Sequence, residues 1–189
     1  MKRMPTRRPL GVALFLLYLL LAMPAARTGL EAHMGAHVLL QMPLLVAIGA
    51  GAGRLWALRW RNGLLAGVGG PVPWIMLALM TSGYWMLPRA MDAALADPAM
   101  DAVKFISLPL LAGVPLALAW EKLSLLGRGL VLTHWMGMLA VLGWLYIVAP
   151  VRLCTNYLVD AQGSAGWWMV RLALLLFLGW LASWFIGKR

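Results

Sequence analysis

Six apolar stretches, each close to the length of a bilayer crossing, constrain this chain more than any other feature. They run over about residues 10–26, 35–53, 63–86, 105–120, 130–149 and 167–186. Roughly 20 apolar residues span the hydrocarbon core as a helix. Lipid offers no partner to a free N–H or C=O, so such stretches must be helical. The expected fold class is therefore all-α: one polytopic membrane helical bundle over residues 1–189, with about six transmembrane helices. Composition agrees. The chain is 63% hydrophobic and 12% charged, with mean hydropathy +0.83. Soluble domains are nearer half apolar and a quarter charged.

The basic residues give these helices a direction. Eleven Lys and Arg fall in the N-terminal tail, in 54–62, in 121–128 and in the C-terminal tail, against five in the intervening connections. Glu31, Asp92, Asp97, Asp101 and Asp160 fall on the second side, and only Glu121 on the first. The positive-inside rule then predicts N-in/C-in, with the second side facing outward. The expected location is a bacterial inner membrane, with the lipid bilayer as partner. The formal charge of +10 is explained by topology and headgroup contacts, and no nucleic-acid motif accompanies it. The first stretch, with its basic start and Met23-Pro24-Ala25-Ala26, also fits a cleaved signal peptide, but retention is the favoured reading.

Polar residues near apolar stretches mark candidate sites. In Glu31-Ala-His-Met-Gly-Ala-His37, helical spacing puts His33, His37 and Gln41 on one face, with Met34 alongside. Two imidazoles at i, i+4 with a thioether favour copper, above all Cu(I). The only other histidine, His134, is expected nearer the cytoplasmic end, where it cannot share a metal with the first two. The single cysteine, Cys154, excludes an internal disulfide and is a candidate soft ligand. Asp160 and Gln162 are polar candidates that also suit a helix cap. Segment 87–104, with Met91, Asp92, Asp97, Met100 and Asp101, reads as a mildly acidic interfacial helix. A faint echo links MPLLVAIGAGAG from Met42 to LPLLAGVPLALA from Leu108. No nucleophile elbow, phosphate loop, haem-attachment motif or zinc-protease helix is present, so no enzyme is expected.

The phrases HMGAHVLLQMPLLVAIG (33–49), THWMGMLAVLGWLYI (133–147) and YLVDAQGSAGWWM (157–169) resemble, in that order, the CtaG-like cytochrome c oxidase assembly proteins. The match covers about a quarter of the chain, and Ala161 separates Asp160 from Gln162 where the family has an adjacent pair. The resemblance implies an inner-membrane protein of respiratory-oxidase biogenesis that handles copper on the periplasmic side. It carries His33, His37, His134, Asp160 and Gln162 as site residues, and implies oxidase subunits or a periplasmic copper chaperone as partners. Two other classes stand beside it: a structural or electron-transfer subunit holding haem b or quinone, and a small-solute transporter. Few ionisable groups fall within the apolar stretches, which counts against the transporter.

Overall fold

A computed structural model describes residues 7–56 and 61–186. Lys2, Arg3, Arg59, Lys188 and Arg189, part of the basic count, lie outside the described residues. All regular structure among the described residues is helical. Four helical stretches are long and apolar enough to cross a membrane: Met34–Leu55, Pro98–Trp120, Leu125–Val148 and Val159–Ser183. A fifth candidate is the pair α1 (Arg7–Ala22) and α2 (Pro24–Glu31), bent by 67°. Pro24 forces the bend. It lacks an N–H and drives Met23 into extended backbone.

The expected six spans thus become four, or five with the bent pair. The third stretch accounts for part of the difference. It divides into α5 (Arg61–Gly67) and α6 (Pro71–Met86) at Gly69 and Gly70, both of positive φ. With 16 residues, α6 is only about 24 Å long at 1.5 Å per residue. Segment 87–104 folds as α7 (Pro88–Ala96) and α8 (Pro98–Ser107), and α8 is itself the first part of a span. Asp101 and Lys104 therefore sit on that span and not in a loop.

Two spans carry a π-helical turn next to prolines. The first runs α3 (Met34–Ala36), a π turn at His37–Gln41, then α4 (Met42–Trp56). The second runs α8, a π turn at Leu108–Gly113, then α9 (Val114–Trp120). Pro43 and Pro109 cannot donate to the carbonyl four residues back, and the turn widens to i→i+5 bonds instead. Widening leaves carbonyls to be satisfied elsewhere. Phe105 O, which a residue other than Pro109 would cap, accepts the Tyr18 hydroxyl at 3.3 Å. The two π-turn spans also pack on each other backbone to backbone. A Cβ on Gly49 would collide with Pro109, and one on Gly113 with the Val46 carbonyl. The echo in the sequence is thus a pair of similar helices in contact.

The last two helices, α10 (Leu125–Val148) and α11 (Val159–Ile186), pair through Gly143 and Gly166 at similarly close range. The main core gathers Met34, Leu45, Trp85, Met91, Leu108, Tyr146 and Met169. A smaller cluster of Ile75, Leu79, Ala119 and Val131 sits toward the other end.

Candidate functional site

The ends of α2, α3, α7 and α8 and the 149–158 connection meet at one end of the bundle, the end that charge assigns to the outside. At their centre is Lys104, with a side chain fully removed from solvent. Its ammonium has three N–H groups and three aligned acceptors: Glu31 Oε1 at 2.7 Å, His37 Nε2 at 3.2 Å and Gln41 Oε1 at 3.3 Å. Asp101 Oδ1, one turn before it on α8, lies 2.7 Å away as an ion pair outside hydrogen-bond alignment. The other Asp101 oxygen takes Arg27 Nη1 at 2.8 Å. Gln41 closes the ring, its Nε2 donating to Glu31 Oε1 at 3.2 Å. Two carboxylates thus face two basic side chains.

The network fixes the state of His37. Lysine only donates, so Nε2 accepts and the proton sits on Nδ1. Nδ1 lies 3.0 Å from the Tyr157 oxygen, and the Tyr157 hydroxyl donates to the Glu31 carbonyl at 2.7 Å. Burial, with Glu31 nearby, pushes the Tyr157 phenol above its ordinary range, so it stays protonated and can donate. The buried charges of Lys104 and Asp101 each carry a desolvation cost of several kcal/mol, which the surrounding ion pairs and hydrogen bonds offset.

The expected site residues separate. His33 does not share a helical face with His37. Its backbone is extended (φ −119°, ψ 116°) and it caps the turn that starts at Met34. The extended backbone at His33, between α2 and α3, breaks the side-chain pairing with His37 even though His37 N–H still bonds the His33 carbonyl at 3.0 Å, while the π turn leaves Gln41 beside His37 on Lys104. His33 is exposed, while His37 and Met34 are buried. His134 lies on α10, its Nε2 buried with no hydrogen-bond partner among the described residues. Asp160 is exposed in the first turn of α11. Gln162 is fully buried: it accepts Leu153 N–H at 2.8 Å and donates to Tyr146 O at 3.3 Å, clamping the connection onto α10.

Cys154 lies beneath that connection with no exposure, its Sγ 4.0 Å from the Tyr146 hydroxyl. Burial first, then the Asp92 carboxylate, pushes its pKa up to about 11. With no metal bound it is a neutral thiol at physiological pH. Asp92 ties the same connection from above, accepting Thr155 N–H at 2.7 Å and Asn156 N–H at 3.2 Å as well as both side chains. Partial burial raises the Asp92 pKa, but those hydrogen bonds outweigh it and hold the carboxyl below its ordinary range.

Both His37 nitrogens are engaged, His33 stands apart, and no three His, Cys, Asp or Glu residues form a metal site among the described residues. Three members of the cluster went unassigned as site residues in the sequence, Arg27, Lys104 and Tyr157, and Asp101 was read only as part of the acidic interfacial segment. One signal was available. Asp101 and Lys104 stand at i, i+3, directly before an apolar stretch, which is the spacing of a helical ion pair. No protein-family model, curated protein or solved structure matches this chain.

Proposed function

We propose that the chain is a non-catalytic accessory protein of the membrane, one that works through its outer end as a scaffold in the assembly of a respiratory oxidase. The oxidase comes from the resemblance to CtaG-like proteins. The scaffold role comes from the closure of the Lys104 cluster, and that observation carries the reading. A site that passes metal ions needs free lone pairs, and here each His37 nitrogen and each ammonium hydrogen already has a partner. Closure of that kind supports a lock that holds α2, α3, α8 and the 149–158 connection in one fixed surface.

The test is a deletion strain complemented at matched protein levels, with oxidase activity and membrane copper as readouts. Deletion lowers assembled oxidase. The His33→Ala variant restores it, and Lys104→Met does not. The opposite pattern, in which Lys104→Met restores function and His33→Ala fails, replaces the scaffold with copper transfer through His33. An unchanged oxidase after deletion removes the oxidase assignment. A Soret band in the purified protein moves the reading to a haem subunit.

A further inference from the structure

We infer that the bundle holds one anionic phospholipid at the end opposite the Lys104 cluster, in a groove between α4, α9 and α10. The groove has a volume of about 300 Å³ and is lined by Arg54, Leu116, Trp120, Leu132 and Trp135 among others. That is the small end of ligand sites in general and suits part of one acyl chain.

Its lining is graded along the bundle. Arg54 lies in the last turn of α4, exposed, and is the one charge in the wall. Arg128 adds a second guanidinium at the same end, stacked 5.7 Å from the centre of the Trp120 ring, with Nε donating to Trp120 O at 3.2 Å. From Arg128, Leu132 and Trp135 lie about one and two turns deeper along α10, a depth of roughly 10 Å at 1.5 Å per residue. Trp135 is fixed there by its indole N–H, 3.4 Å from Ser82 Oγ. Cations at the mouth and apolar walls below match a phosphate headgroup with a chain under it, and guanidinium binds phosphate oxygens in pairs. A soluble anion would match the mouth alone.

A second groove, of about 320 Å³ on another face of α10, supplies the control. Leu125, Leu126, Gly129, Leu130, Thr133 and Trp180 line it, with no cation among these described lining residues.

The experiment is native mass spectrometry of the full chain in detergent, with phosphatidylglycerol and phosphatidylcholine supplied equally. One phosphatidylglycerol is expected to be retained in preference. Arg54→Gln cuts that preference about fivefold, the effect of one arginine on an anionic lipid surface. Leu132→Trp fills the groove and evicts the lipid, while Leu130→Trp, in the control groove, changes nothing. Equal retention of the two lipids by the wild type overturns the assignment, as does an Arg54→Gln variant with unchanged preference. Displacement of the lipid by glycerol phosphate at equal concentration shows an anion site without a lipid slot, and overturns it too.

Discussion

Lys104 is the residue on which its end of the bundle depends. Replacing it with Met leaves Glu31 without its cationic partner and the buried Asp101 with Arg27 alone. Loss of one partner from a buried pair typically costs about 3–5 kcal/mol. Lys104→Met is therefore expected to lower stability by that order in detergent unfolding, with the double variant Lys104→Met, Glu31→Gln recovering part of the loss. An additive double variant would mean that the two side chains do not interact. Cys154 gives a second residue-scale prediction. As a buried thiol with pKa near 11, it reacts slowly with maleimide at neutral pH, and Asp92→Ala, which releases the connection above it, speeds labelling at least tenfold. The pH dependence has a definite sign. Asp92 is held below its ordinary value of 3.8, so its contribution to holding the connection is complete above that value. It is lost as pH falls toward and through the lower folded value, and labelling of Cys154 relative to the thiol's own ionisation should rise in acid. At this scale the sequence was only partly legible. His37, Gln41 and Glu31 stood out because polar groups beside apolar stretches are rare. Lys104 did not, because a lysine at the edge of an apolar stretch reads as a topology charge until its long-range partners are known. Those partners lie 63 to 73 residues away.

Among elements, the two π turns set the geometry. Each follows from a proline that removes one donor, and each lies where its span meets the other or meets the cluster. Gly49 and Gly113 then allow contact too close for any side chain. Gly113→Leu is expected to cost about 1–3 kcal/mol if neighbours yield, and to prevent folding if they do not. The measurement is the melting temperature in detergent beside a Gly29→Leu control, a position where an added Cβ meets nothing within 4 Å. Apolar length made four of the spans legible; each observed span starts earlier than expected, at residues 34, 98, 125 and 159, and ends close to its expected limit. It failed at the third stretch because hydropathy does not register the backbone at Gly69 and Gly70, where positive φ ends one helix and starts another. It failed at His33 for a related reason. A periodicity argument assumes unbroken helix, and the extended backbone there shifts every later position.

Over the whole molecule, the contacts sort residues into two ends without reference to charge. Arg27, Glu31, Asp92, Asp101, Lys104 and Tyr157 share one end, and Arg54, Trp120 and Arg128 the other. Which end faces outward rests on the basic residues, and impermeant thiol labelling checks it. Cysteine at exposed Asp97 should label in intact cells, and cysteine at exposed Ser124 only after permeabilisation. The reverse result inverts the protein in the membrane. The lock also has a history in time. Its members are made in the order Arg27, Glu31, His37, Gln41, Asp101, Lys104, Tyr157, so the ribosome delivers two carboxylates' worth of buried charge before the ammonium that answers Asp101 and Glu31, and the phenol that orders His37 last of all. Until then the α8 end of its span carries charge that hydrocarbon rejects. A copy truncated before residue 104 lacks the ammonium that joins Glu31 and Asp101, and is expected to be turned over faster in the membrane than the full chain, which a pulse-chase measures.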